Sequence, residues 1–434
     1  MPLRPDALFK TLLAGLLCLV LPSMARPEAP SFTVGVCSHR MHQSPDDGRE
    51  NRLLAAAGVT SVRTDAHWAH VERRRGQLAI EPGWTDYLDD GARRGLETLL
   101  ILGYGNNHHG QGDKPRTEHV REAYERYVDY VAGTLRGRVG HYEIWNEWDA
   151  EDPHDPALAE DYARLVRAAA RRIRTEDPDA LVLAGAVTSA GIEAGFAHRL
   201  IDLGVLQAVD GLSLHPYVHC RGAGRDTPEA WIDWLRSVAR SLNQRAGRMV
   251  PLYLTEMAWP SHQGACGIDE RQQAAFLARA LLLARTLPSI RGLWWYDARN
   301  DGSDRHEREH NFGLLDHDLA PKPAYAALAA VAPVVAHHDY RGRIDAGDDR
   351  VHLLHFANGS ELLAAWTAGP PRSVVIRAPG PIEGRVQWLD TASPERGLIS
   401  GEQTWQCLSG ECRATLELSG FPKLVTIAAE PVER

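Results

Sequence analysis

From residue 32 to about 330 the chain alternates short apolar runs with longer stretches whose apolar residues recur at helical spacing. The short runs predict strands at Phe32–Ser38, Ser61–Asp65, Glu97–Gly103, His141–Trp145, Ala180–Ala186, Asp210–His215, Leu252–Glu256 and Gly292–Tyr296. Helices are predicted at Glu118–Leu135, Ala157–Thr175, Pro228–Ala246 and Glu270–Thr286, with Asp, Thr or Pro often at their starts. Eight such units over about 300 residues predict an α/β fold, a (β/α)8 TIM barrel spanning residues 30–335. A doubly wound sheet is the alternative, but no Gly-x-Gly-x-x-Gly follows the first strand.

The pattern changes after the last helical stretch, Lys322–Leu328. From Asp339 onward it becomes short strands broken by turns: Val351–Phe356, Glu361–Trp366, Ser373–Arg377, Arg385–Asp390 and Leu424–Ala428. Asn358-Gly359 between the first two is a hairpin signal. A small β-sandwich over residues 339–434 is expected, too short to look catalytic and read as a buttress for the barrel in preference to a carbohydrate-binding module.

The first 25 residues read as a secretory signal: Arg4 and Lys10, an apolar run from Thr11 to Pro22, then Ser23-Met24-Ala25. That run is short for a membrane span, and no later stretch qualifies. Cys18 lacks the small preceding residue of a lipoprotein site, since Leu16-Leu17 precede it. A secreted or periplasmic protein is expected, with no integral membrane segment after cleavage. Such a compartment permits disulfides. Cys220 and Cys266 fall in loops after neighbouring strands and are expected to pair; Cys407 and Cys412 flank a small turn, and Cys37 reads as a buried thiol. No CxxC occurs, so a zinc cluster is not expected.

Composition adds exclusions. The chain of 434 residues is 44% hydrophobic and 24% charged, as for a folded soluble protein. A net charge of −9 without any basic run argues against nucleic acid as a partner.

Barrel sites are built where strands end, so the residues falling there matter most. The fourth strand runs out in Asn146-Glu147-Trp148 and the seventh in Glu256, with Trp259 close behind. The second ends in Arg63 with Trp68 beyond, the third near His108, the sixth in His215-Pro-Tyr217, and the eighth in Trp294-Trp295-Tyr296-Asp297. Two carboxylates at two strand ends, each beside tryptophan, suggest paired acid chemistry on a sugar ring. Tryptophan faces match the C–H faces of pyranoses, while polar neighbours bind hydroxyls. Glu143, earlier on the fourth strand, reads as an interior charge paired with an arginine.

These residues resemble clan A glycoside hydrolases, marked by Asn-Glu at the fourth strand and Glu at the seventh. Arg63, His215-Pro-Tyr217 and Trp295 agree with that pattern, as do Glu72, Gly76, Gly95–Leu102, Asn311–Leu315 and Pro321–Tyr325. Trp295-Tyr-Asp297 and the C-terminal sandwich look most like family 39, in particular its endo-acting members from bacterial exopolysaccharide systems; family 5 shares much of the pattern. The resemblance implies a retaining hydrolase of a β-linked polysaccharide or oligosaccharide, endo-acting, monomeric and needing neither cofactor nor metal. It implies Glu147 as general acid/base and Glu256 as nucleophile, with Arg63 and Tyr217 keeping Glu256 ionised. Asn146 would hold the sugar 2-hydroxyl, His215 would position Tyr217 or a hydroxyl, and His108, Trp68, Trp148, Trp259 and Trp295 would contact sugar.

Two other readings remain. A glycan-binding protein on the same scaffold would lack turnover. His306-Glu-Arg-Glu-His310 spells the His-Glu-x-x-His signature of zinc proteases, but it sits in a polar loop, and among 20 histidines a chance match is unsurprising.

Overall fold

The structure, a computed structural model, describes residues 32–39, 41, 48–222, 224–379, 383–389, 398–408 and 411–428. The expected signal segment lies outside these residues, as does Asp390. Eight parallel strands close a barrel in chain order: β1 (Thr33–Cys37), β2 (Ser61–His67), β3 (Glu97–Gly103), β4 (His141–Ile144), β5 (Leu181–Thr188), β6 (Gly211–His215), β7 (Leu252–Met257) and β8 (Ile290–Trp295). The register closes between β1 and β8, where Val36 stands opposite Trp295. Helices cover the outside. Those at Pro156–Glu176, Pro228–Ala246 and Glu270–Ala284 begin where Asp155, Thr227 and Asp269 accept a bond from a backbone N–H of the first turn.

The barrel interior is layered. Leu99, Ile101, Leu183, Tyr253 and Trp294 fill its lower half, with Cys37 packed against them. Trp294 fits because Gly35 faces it: a β-carbon there would stand 2.2 Å from the indole. Above this apolar plug lies a wholly buried polar layer of Arg63, Glu143, His215 and Thr255. Glu143 is the interior charge expected from its place on the strand, and Arg63 is its partner at 2.7 Å.

Beyond helix Pro323–His337 come two antiparallel sheets. One has the strand order β14 (Leu398–Gln403), β13 (Glu383–Leu389), β17 (Lys423–Ala428), β11 (Glu361–Thr367), β10 (Val351–Ala357), β9 (Asp339–Arg343). The other has β12 (Arg372–Pro379), β16 (Glu411–Leu418), β15 (Gln406–Leu408). Strand alternation makes the larger sheet two-faced. Leu354, Phe356, Leu362, Ala364 and Trp366 join the barrel core, while Val351, Leu353, Leu363 and Ala365 pack on Ile376, Ala414, Leu416 and Leu418. The Trp366 indole donates to Glu229 of the barrel helix Pro228–Ala246 at 2.9 Å, and Arg279 of the next helix grips the same carboxylate. This packing is that of a buttress. The sequence pattern missed β9, β14, β15 and β16. In β16 the alternating Cys412, Ala414, Leu416 and Leu418 are interleaved with Glu411, Arg413 and Glu417, which mask the period.

Cys220 and Cys266 form a disulfide with Cα atoms 5.0 Å apart, tying the loop after β6 to the loop after β7. Cys37 is free and buried. Cys407 stands opposite Cys412 in the β15–β16 ladder, and Cys412 is disulfide-bonded. Among the described residues no helix is long and apolar enough to cross a membrane.

Candidate active site

The fourth strand stops at Ile144, and the backbone then passes through the left-handed region at Trp145 (φ 66°) and Glu147 (φ 48°). Side-chain-bearing residues adopt that region only at a cost, so the surrounding packing must hold the turn. Trp145 and Trp148 supply it, packed edge to face at 5.2 Å and both buried. The turn carries Glu147 to the mouth of the barrel, where its Oε1 stands 2.9 Å from Nδ1 of His215. From β7, Glu256 reaches the same place: Arg63 Nη1 donates to its Oε1 at 2.6 Å and the Tyr217 hydroxyl to its Oε2 at 3.0 Å. A carboxylate oxygen of each glutamate and a ring nitrogen of His215 lie within 4.8 Å of one another. Both acids remain reachable, with side chains 33% and 13% exposed for Glu147 and Glu256.

The electrostatics hold Glu256 as a carboxylate. Burial penalises a charge on Glu256, but the positive charges of His215 and Arg63 and the bonds from Arg63 and Tyr217 outweigh it, holding this carboxyl below its ordinary value. Burial likewise works against a charged His215, yet the Glu256 charge and the bond to Glu147 raise its pKa. Burial beside Glu256 pushes the Tyr217 phenol up, so it stays a donor. Asn146 accepts from Arg63 Nη2 at 2.7 Å through its amide oxygen. Its amide nitrogen has no partner among the described residues and is available to a ligand.

These acids open onto a cavity of about 380 Å³. Its walls are His39, Tyr104, Asn146, Tyr217, His219, Tyr296 and Phe312, with Arg308 and Glu309 from the loop after β8. Of the expected site residues, Arg63, Asn146, Glu147, His215, Tyr217 and Glu256 therefore come together. The tryptophans do not. Trp68, Trp148, Trp259 and Trp295 are at most 1% exposed, and their indole N–H groups are spent inside the protein, on Glu72, Leu158 O, Asp226 O and Phe312 O respectively. They brace the loops and offer no face to a sugar, which corrects the expectation of direct contact. His108 is also corrected: it is exposed, bonds the carbonyl of Arg73, and lies outside the cavity lining.

The aromatic faces that do line the cavity are Tyr104, Tyr217, Tyr296 and Phe312. Tyr296 directly follows Trp295, which is turned into the core, so the wall falls to the neighbour. Tyr104 is held by a bond from its hydroxyl to Asp65 at 3.0 Å, and the same carboxylate binds His39. The weight placed on tryptophan passed over Tyr104 and Tyr296, each of which directly follows a strand end.

The His306–His310 segment forms a polar loop with a short 3-10 turn at Glu309–Asn311, not the helix that two zinc ligands would need. Among the described residues the one group close enough to hold a metal is Glu147, His215 and Glu256. Arg63 and Tyr217 already bond both oxygens of Glu256, and a guanidinium at 2.6 Å repels a cation, so this donor set fits proton chemistry better than a metal.

The closed barrel, with an acid pair at the ends of β4 and β7 and an arginine beneath, matches the clan A glycoside hydrolase pattern that the sequence resembles. Comparison with solved structures finds glycoside hydrolases of family 39, and of family 30, among the similar folds. The chain resembles a family 39 glycoside hydrolase from the gut symbiont Bacteroides cellulosilyticus, with 26% identity, a TM-score of 0.75, and coverage of 92% of this chain and 81% of that one. It shares its fold with the family 39 enzyme of Xanthomonas axonopodis pv. citri (14% identity, TM-score 0.63, covering 92% and 95%). It shares it also with a monomeric β-xylosidase from Caulobacter crescentus (16% identity, TM-score 0.63, covering 94% and 98%). No protein-family model and no curated protein matches the sequence.

Proposed function

We propose that the protein is a retaining O-glycosyl hydrolase that cuts a β-linked polysaccharide or oligosaccharide internally, with Glu147 as acid/base and Glu256 as nucleophile. The observation that carries this reading is the spacing of the two acids. Their oxygens approach within 4.8 Å, in keeping with the roughly 5–5.5 Å of retaining enzymes and short of the 6.5–9.5 Å that leaves room for a water. Glu256, held ionised by Arg63 and Tyr217, attacks the anomeric carbon. The glycosidic bond breaks, and its electron pair stays on the leaving oxygen, which takes the proton of Glu147. Water then adds at the anomeric carbon, returns a proton to Glu147 and frees Glu256. Asn146 offers its amide nitrogen to a sugar hydroxyl beside the reacting carbon, and the tyrosines supply apolar faces.

Two intact acids, of which Glu256 is held ionised beside Arg63 and Tyr217, favour turnover over mere glycan binding. The signal-like segment at residues 1–25 supports a secreted or periplasmic site of action. The test is a panel of β-linked polysaccharides, with product lengths read by mass spectrometry and the anomer of the first product by NMR. Oligosaccharides released with retained configuration are expected. Inverted products would overturn the mechanism, and single sugars released from chain ends would overturn the internal mode of attack.

A further inference from the structure

The buried polar layer fixes where one proton sits. Arg63 Nη2 directs one hydrogen to Asn146 Oδ1 at 2.7 Å, and the same nitrogen stands 2.7 Å from the charged Glu143 Oε2. Its Nε bonds the same oxygen of Glu143 at 2.8 Å, so a guanidinium neutralises that carboxylate. A carboxylate only accepts, so the Thr255 hydroxyl, 2.8 Å from Glu143 Oε1, must spend its single hydrogen there. His215 Nε2 lies 3.1 Å from that hydroxyl oxygen, which has only lone pairs left, and farther, at 3.4 Å, from Arg63 Nη2, so the shorter contact governs. Nε2 is therefore the donor, and a neutral His215 ring carries no hydrogen on Nδ1. Yet Nδ1 stands 2.9 Å from Glu147 Oε1 and 3.6 Å from Glu256 Oε2, all within a fully buried ring. Two bare acceptors would repel at that distance. One proton must lie between them.

We propose that His215 is a positioning residue which, with its Nε2 proton locked by the Arg63–Glu143–Thr255 chain, shares with Glu147 the single proton that the general acid donates. This rests on the role proposed above for Glu147. In the resting enzyme the proton is divided between Oε1 and Nδ1, and the charged Glu256 beside Nδ1 favours its retention. As the glycosidic oxygen takes the proton, Glu147 is left a carboxylate and His215 neutral, so the pair as a whole loses one proton. Attack by water returns one proton to the pair. The groups facing the ring are Arg63 from β2, Glu143 and Glu147 from β4 and its end, and Thr255 and Glu256 from β7, with Tyr217 two residues along its own chain. Among these, Thr255 carries no charge and its hydroxyl bonds only Glu143 and His215, which makes it the cleanest lever.

The test compares wild type, Thr255→Val and His215→Asn in the pH profile of kcat/KM, using aryl glycosides with a poor and with an activated leaving group. Valine keeps the shape of threonine but removes the acceptor of Nε2–H. The neutral ring can then carry its hydrogen on Nδ1 and donate to the Glu147 carboxylate, so the pair gives up its proton more easily. With the poor leaving group the alkaline limb is expected to move to lower pH by about one unit or more in both variants, as for strongly coupled sites. With the activated leaving group, activity should depend far less on that limb. A parallel loss at every pH with the limb unmoved would overturn the proposal and leave His215 a packing residue. The 15N signals of histidine-labelled wild-type protein give a second reading that needs no substrate. Nε2 should stay protonated through the titration while Nδ1 changes. A bare Nε2 at neutral pH would refute the lock. Should no glycoside be turned over, the proposed function fails while these signals still decide the proton's place.

Discussion

The two ends of the barrel interior are built on opposite principles. The lower end is an apolar plug of Leu99, Ile101, Leu183, Tyr253 and Trp294, closed by direct packing. The upper end buries Arg63, Glu143, Thr255 and His215, groups whose removal from water is costly unless each is paired. Every one of them is paired, and the chain of partners ends at the two acids exposed to the cavity. The plug can tolerate any residue set that fills its volume. The polar layer can tolerate almost none, because each donor is already assigned. Stability sits below and chemistry above, and the two should separate under mutation.

The largest effect is expected at the acids. Glu256→Ala should abolish turnover of every glycoside, a loss on the order of 10⁴-fold or more. Glu147→Ala should cost about 10²–10⁴-fold with poor leaving groups and far less with activated ones, whose departure needs no proton. Azide should then rescue the second step of that variant and yield a β-configured azide. Both variants should melt near the wild-type temperature, which separates the upper end from the lower.

Trp294→Ala should do the reverse. Deleting the indole from the plug is expected to destabilise the fold by about 3–5 kcal/mol, read in denaturant, while the molecules that remain folded keep their kcat. Glu143→Ala breaks the separation, since it removes one of the two carboxylates that balance the Arg63 charge in the buried layer. It should cost about 3–5 kcal/mol in stability and also lower kcat, because Thr255 and Arg63 lose their common acceptor.

The smallest effect concerns pH. The bond and charge of Asp65 outweigh burial and raise the His39 pKa from 6.5 to about 9. A raised value means that protonation favours the folded state, so this contribution is fully present below about pH 6.5 and is lost as pH rises through about 9. The urea midpoint should decline across that window, and Asp65→Asn should flatten the decline.

Much of this architecture was legible in the chain, and the failures have a common cause. Strand ends were found because an apolar run stopping at Asn146-Glu147 or Glu256 is a local signal. Glu143 was placed inside from its position within the fourth strand, short of the end that carries Glu147. The tryptophans misled because their type states what they can bind and says nothing of which way they point. Trp295 and Tyr296 are consecutive, so one must turn from the cavity as the other enters it, and the closed barrel decides which. The hydrogen-bond order through Thr255 was invisible for a similar reason. It joins β2, β4, β6 and β7, four strands whose side chains only barrel closure brings into hydrogen-bond range.

The division of roles between the two acids is tested most directly by covalent trapping. A 2-deoxy-2-fluoro glycoside with an activated leaving group, matched to the preferred sugar, should add one sugar mass to the protein. Peptide mapping should then place that mass on Glu256, with Glu147 unmodified. A label on Glu147, or an inverted product with no label at all, would contradict the account.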